Sequence, residues 1–398
     1  MLLNEAGSTA ARGLPARRVL FVAGFVLIAL NLRPTLTAVA PLLNAIREHF
    51  GMDASTAGLL TMLPVACLGV FGAVAARLAR RFGTESVVLA FVLMIACGSL
   101  LRGTGSQAAL FLGTAFGGAG IGVVGVLLPA LVKRDFGAQA GGMMGVFTMV
   151  LVAGAAAGAG ASIPLAEALG GWQPALMAWA APALLAALVW VPQVVAHRFT
   201  PRDDAPPPNL WRDPLAWRVT FFMGLQSSLA YMAMGWLPVI LEDFGMTAER
   251  AGFVSAVSIA CQMVTALTLP PIAARARDQR LVLAFAVLIG TAGTAGIFFG
   301  PGFLIWPSAV LVGLSLGGCF GVALTLIVLR TRDGRTAAQL SAMSQSVGYL
   351  LASLGPLALG MLHDASGGWS VPGVFFIAVS IAALIVGLGA ARPRYVGE

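Results

Sequence analysis

Charge is what this chain has little of. Only 10% of its 398 residues are Asp, Glu, Lys or Arg, whereas about a quarter is usual for a soluble domain. Sixteen acids and twenty-four bases cannot cover the water-facing surface of so long a chain, which excludes a soluble enzyme, a secreted domain and a disordered protein. Cysteine is equally sparse. Cys67, Cys97, Cys261 and Cys319 stand far apart inside apolar runs with no CxxC, so they read as small packing residues, not disulfide or metal partners. The three histidines, His49, His197 and His363, fall at the ends of apolar runs and form no ligand cluster. No Ser/His/Asp, Cys/His or paired-carboxylate arrangement is present, and no glycine run follows a strand to cradle a phosphate. The chain therefore reads as a non-enzyme with no cofactor and no metal.

What is present is apolar: 59% of the residues are hydrophobic. Runs bounded by charge or turn residues fall at about 19–45, 54–76, 86–104, 108–132, 142–166, 172–195, 216–241, 250–272, 280–299, 304–329, 339–362 and 371–391. Each meets the roughly 20 residues that a helix needs to cross a bilayer. The first run follows Arg12, Arg17 and Arg18 like a secretory signal, with Ala38-Val39-Ala40 as a cleavage sequence. Arg33-Pro34 inside the run and Pro41 after the cut argue against cleavage, so it reads as the first span.

Lys and Arg divide unevenly between alternate loops, twenty on one side (Arg12, Arg77, Lys133, Arg198, Arg275, Arg330 and Arg392 among them) and three on the other (Arg47, Arg102, Arg250), with Arg33 inside the first span. By the positive-inside rule both termini and the central linker are expected in the cytoplasm. The net charge of +8 is then a topology signal, not a nucleic-acid footprint. The only long polar connection runs from His197 to Pro214 and includes Pro206-Pro207-Pro208. About it the chain repeats itself. Phe50-Gly51-Met52 recurs as Phe244-Gly245-Met246, Ala75-Ala76-Arg77 as Ala273-Ala274-Arg275, Arg134-Asp135 as Arg332-Asp333, and Gly170-Gly171-Trp172 as Gly367-Gly368-Trp369. The predicted fold class is an all-α membrane protein with twelve transmembrane helices in two pseudo-symmetric six-helix bundles. Its parts are an N-terminus (1–18), a first bundle (19–195), a linker (196–215), a second bundle (216–391) and a tail (392–398). Six plus six spans in parallel halves is the major facilitator layout, with its site at the midplane between the halves.

The stretch Asn31-Leu32-Arg33-Pro34-Thr35-Leu36-Thr37-Ala38-Val39-Ala40-Pro41 resembles the first-span signature of the cyanate permease and nitroimidazole transporter branch of the major facilitator superfamily. Gly117 to Gly125, running into Leu131-Val132-Lys133-Arg134, is similar to the fourth span of that branch. The loop Ala76-Arg77-Leu78-Ala79-Arg80-Arg81-Phe82-Gly83-Thr84-Glu85 resembles the superfamily's loop motif, but Arg80 stands where the family has an acid. The resemblance implies that this acid helps latch the cytoplasmic side of the two halves, so the usual latch is in question here.

Arg33 lies about fifteen residues into its span, at a depth where an arginine costs about 2.5–3.5 kcal/mol on insertion scales. No Asp, Glu or His lies comparably deep; Glu48, Asp53, Glu167, Glu242, Asp243, Glu249 and Asp364 all sit near span ends. Arg33 is accordingly the expected substrate cation, its planar fork suited to carboxylate-like or linear anions. The structural alternative is that it donates to carbonyls freed at Pro34. Thr37, one turn on, is expected on the same face; Asn31 fits either site or scaffold. From the second half, Gln226 and Tyr231 (span seven), Gln262 (span eight), and Gln345 and Tyr349 (span eleven) are uncharged candidates whose polar groups need partners in an apolar medium. The alternative for each is a permanent bond to another helix. Aligning Pro41 with Pro238 puts Arg33 opposite Ala230, so the charge was not duplicated. Asp53 and its repeat partner Thr247 read as helix N-caps. Gly118/Gly122, Gly154/Gly158, Gly313/Gly317 and Gly317/Gly321 read as small-residue packing pairs.

The expected function is secondary transport of a small anion, cyanate-like, or a small polar heterocycle, nitroimidazole-like, by alternating access. The expected partners are that small molecule and the bilayer, with no nucleic acid and the chain a monomer. The alternative is a drug or metabolite efflux permease; a non-transporting receptor or scaffold is the third reading.

Overall fold

The computed structural model describes residues 5–52, 54–196 and 209–398; Asp53, His197 and the body of the linker lie outside these. The first span is broken into α1 (Glu5–Asn31), α2 (Pro34–Thr37) and, after a 3-10 turn at Ala40–Leu42, α3 (Leu43–Phe50). Then come α4 (Ala54–Phe82), α5 (Thr84–Arg102), α6 (Gln107–Phe136), α7 (Ala140–Leu169), and a sixth span made of α8 (Trp172–Ala178) and α9 (Ala180–Ala196). The second half is six helices: α10 (Pro214–Asp243), α11 (Ala248–Arg275), α12 (Arg280–Phe299), α13 (Ile305–Leu329), α14 (Gly334–Ser366) and α15 (Ser370–Ala390). Among the described residues eleven apolar helical stretches are long enough to cross a membrane, and one of them, Gln107–Leu169, contains both α6 and α7.

Helix ends follow local chemistry. Asp213, Thr247 and Asp333 each accept from backbone N–H groups of the first turn they precede, capping α10, α11 and α14. Gly51 and Gly367, both left-handed, end α3 and α14. The second apolar run ends near residue 76, yet α4 continues through Arg77-Leu78-Ala79-Arg80-Arg81, all good helix formers, until Gly83 at φ 84°. The outward surface is apolar: Leu188, Val195 and Leu281 are 70%, 73% and 83% exposed. In water such a surface would forgo about 1.5–3 kcal/mol per side chain, whereas lipid is its natural solvent.

By internal contact the chain divides into two units. Unit 1 holds 1–64, 77–124 and 154–203; unit 2 holds 65–76, 125–153 and 204–398. In unit 1, α9 packs on α1 and α5; in unit 2, α15 packs on α10 and α12, the same pairing one repeat later. Glycines set the close crossings. Gly98 of α5 and Gly113 of α6 meet each other's backbone, and in unit 2 Gly313 and Gly317 of α13 lie on the Ser258 and Gln262 carbonyls of α11. Each unit also carries a histidine–tryptophan cluster at its sparsely charged end. In unit 1 the His49 and Phe50 rings meet Trp172 edge-on at 5.5 and 5.6 Å. In unit 2 the His363 ring lies 4.1 Å from Trp369, whose indole N–H donates to Asp243 at 2.8 Å.

The opposite, arginine-rich end of unit 2 is tightly closed. Gly141 and Gly145 of α7 bring that helix onto Ala274 and the Leu267 carbonyl of α11, and Thr148 Oγ1 donates to the Ala266 carbonyl at 2.6 Å. Gly334 packs on the Ala130 carbonyl, and Gly69 of α4 lies against Leu350 of α14. Arg330, buried after α13, donates to Gln279 and to the Ala390 and Ala391 carbonyls, tying α12, α13 and α15 together. Burial lowers its pKa to about 10, against the opposing pull of Asp278 and Tyr395, so it stays charged at neutral pH.

Candidate functional site

The break in the first span is the centre of the candidate site, and unit 1 grips it from four helices. α1 stops at Asn31 because Pro34 has no N–H to continue the ladder and disfavours helical geometry just before it. Arg33 sits at the N-cap of α2 (φ −108°, ψ −35°) and is half-buried. Asn31 Nδ2 donates to the Leu27 carbonyl at 2.7 Å and to the Pro182 carbonyl of α9 at 3.1 Å. Thr37 Oγ1 donates to the Arg33 carbonyl at 3.2 Å and to the Ala155 carbonyl of α7 at 3.0 Å. Gly154 and Gly158 of α7 lie directly on Leu30 and Pro34, and Gly117 of α6 lies on the Thr35 methyl.

The fourth grip comes from a residue the sequence placed elsewhere. The loop count groups Arg102 with the cations of the sparsely charged side; the structure buries it completely at the end of α5. Its Nη1 donates to the Thr35 carbonyl at 2.9 Å, and its Nη2 lies 3.5 Å from Ser99 Oγ. The Gly98–Gly113 crossing, with Gly113 also abutting the Arg102 side chain, is what lets α5 run close enough to α6 for this reach. The available signal was the glycine at 98 followed four residues on by an arginine, a pattern too common to single out.

In unit 2 the uncharged candidates separate. Gln226, on α10, is 1% exposed; its Nε2 donates to Ser227 Oγ at 2.7 Å and the Met223 carbonyl at 3.2 Å, while its Oε1 is buried without a hydrogen-bond partner. Such an orphan acceptor is rare enough to require a reason. Gln345, on α14, donates to the Gly125 carbonyl of α6 at 3.2 Å and to Ser341 Oγ at 2.7 Å, so it belongs to the closed arginine-rich end. Tyr349, one turn on, is buried; Tyr231 and Gln262 are half-buried. Arg33, Asn31 and Thr37 are in unit 1 and these five residues in unit 2. Among the described residues no three His, Cys, Asp or Glu side chains come together where a metal could sit.

The sequence matches the Major Facilitator Superfamily over residues 19–356. The chain belongs to that family: an all-α membrane protein of twelve spans, a transporter and not an enzyme. It is 38% identical to the 2-nitroimidazole transporter of Escherichia coli (strain K12) over 381 residues, 95% of this chain and 96% of that one. It is 31% identical to the cyanate transport protein CynX of the same organism over 372 residues, 93% and 97% of the two chains. The fold is similar to that of the proton:xylose symporter XylE, with a TM-score of 0.76, 10% identity, and 92% of this chain and 94% of that one covered.

Proposed function

We propose that the protein carries a small anion, or a small polar heterocycle, across a bacterial inner membrane by alternating access, with its termini and the 196–215 linker in the cytoplasm. The moving bodies in this reading are the two sequence halves, 19–195 and 216–391. The observation that carries the proposal is Arg33, a half-buried guanidinium in the middle of a spanning segment, at a break gripped by neighbouring helices. The names of the two relatives fit one chemistry. Cyanate is a linear anion, and a nitro group presents two coplanar, partly negative oxygens. A guanidinium fork serves both by charge-assisted hydrogen bonds.

In reconstituted vesicles, Arg33→Gln should cut uptake of labelled cyanate by tenfold or more, since a hydrogen bond to a charged group contributes about 1.5–3 kcal/mol. An inside-positive potential should speed cyanate uptake in the parent. Undiminished transport by the properly inserted variant removes Arg33 from the site, and equal loss for 2-nitroimidazole shows that nitro oxygens use the same fork.

A further inference from the structure

We propose that Arg102 is the positioning residue of the transport site: by holding the Thr35 carbonyl it fixes the turn from which Arg33 meets the transported molecule. The inference rests on Arg33 being the substrate cation. The short helix α2 ends at Thr37, one turn past Arg33, and the chain bends at Ala38 and Val39. A segment this short has almost no hydrogen bonds of its own, so its place in the membrane is set by what takes up its carbonyls. Arg33 O is shared by the Leu36 and Thr37 N–H groups and the Thr37 hydroxyl, and Pro34 O by the Ala38 N–H. The Thr35 carbonyl goes to Arg102.

That guanidinium is 0% exposed, no carboxylate among the described residues pairs with it, and its Nε has no hydrogen-bond partner. An apolar side chain would fill the same space without desolvating a charge. The one short bond that the Arg102 charge makes is to the turn carrying Arg33. Thr37 and Asn31 tie the break to α7 and α9, and Arg102 is its hydrogen bond to α5. Gly117 abuts the Thr35 methyl from α6, and Gly154 and Gly158 abut Leu30 and Pro34 from α7, but these contacts press and do not pull. Arg102 supplies the pull from α5. Its positive charge, two residues along the backbone from Arg33, adds to the potential that favours an anion there.

The test uses the full chain with Cys67, Cys97, Cys261 and Cys319 replaced by alanine, and Arg33→Cys as a reporter of where the turn points. The readout is the labelling rate by a charged, membrane-impermeant methanethiosulfonate. With Arg102 present, position 33 should label. Arg102→Met should change that rate at least fivefold, while Tyr231→Cys, a reporter on α10, stays within twofold. Arg102→Lys, which keeps a charged donor of nearly the same reach, should restore at least half of the rate at position 33. Should Arg102→Met fail to insert, Arg102→Gln, too short to reach the carbonyl, is read in the same way. A rate at position 33 within twofold of the parent in these variants overturns the positioning role and leaves Arg33 to be judged by its own uptake test. A change of equal size at both reporters also overturns it, because the effect is then general loosening. Absence of labelling at position 33 with Arg102 intact removes the water-facing turn, and the proposed site with it.

Discussion

Thr148→Val should loosen the arginine-rich end of the transporter. Pro270 and Pro271 have no N–H, so within α11 the carbonyls of Ala266 and Leu267 lack the donor that a helix normally supplies four residues on. α7 covers both: the Thr148 hydroxyl reaches Ala266 O at 2.6 Å, and Gly145, lacking a Cβ, lies on Leu267 O. The same hydroxyl is 2.9 Å from the Met144 carbonyl of its own helix, to which its one proton can turn when Ala266 O is out of reach. Valine preserves the shape but leaves Ala266 O buried and unsatisfied whenever α7 is docked. That costs about 1–3 kcal/mol, which shifts a two-state equilibrium by about 5- to 150-fold away from the closed form. Spin labels at Gln139 and Arg277, in a cysteine-free background in lipid nanodiscs, report the separation of the two helix ends by pulsed electron resonance. The valine variant should populate a longer distance at least fivefold more than the parent, and Thr148→Ser should match the parent. An unchanged distance distribution for valine would refute the argument that these proline-freed carbonyls hold the end shut.

Gln226→Met keeps the volume and removes a buried acceptor that has no partner, so the melting temperature should stay unchanged or rise; a fall of several degrees would refute the reading of Oε1 as unsatisfied. Gly317→Val should lower the melting temperature in detergent by several degrees, because its Cβ lands on the Gln262 backbone and overpacking costs about 1–3 kcal/mol; Gly235→Ala, with nothing within 4 Å, should not. Asp333 carries a pH signature. Partial burial works to raise its pKa, but the backbone N–H and hydroxyl of Thr336 and the N–H and charge of Arg335 outweigh it and hold the carboxyl below its ordinary range. A lowered folded-state pKa means stabilisation present at neutral pH and lost as pH falls through that value. Asp333→Ala should therefore destabilise by about 1 kcal/mol at pH 7, with the difference from the parent closing only in strong acid.

Composition and punctuation made the architecture readable. The basic loops, the repeated Gly-Gly-Trp and Phe-Gly-Met elements, and Thr247 as a cap all have local causes, and the last is seen capping α11. Pro34 marked the break in the first span for the same reason, whereas Pro238 lies within a continuous α10. The supports of the site were not readable. Asn31 and Thr37 could be placed on a span but not matched with the Pro182 and Ala155 carbonyls more than a hundred residues away. Arg102 read as a loop base because its burial depends on two glycines on different helices meeting, and helical periodicity carries no record of that. Gln345 was legible as a membrane-depth amide, but its partner, the Gly125 carbonyl, is main chain and leaves no side-chain trace in the sequence.

The socket around the first-span break is made of main-chain oxygens from α7 and α9, bare glycine surfaces from α6 and α7, and one guanidinium from α5. None of those contacts depends on which side chain projects from position 33. In the proposed reading, in which Arg33 meets the cargo, that residue can be exchanged while the mounting stays intact, and a neutral or acidic group grafted there should recruit cargo of a different charge.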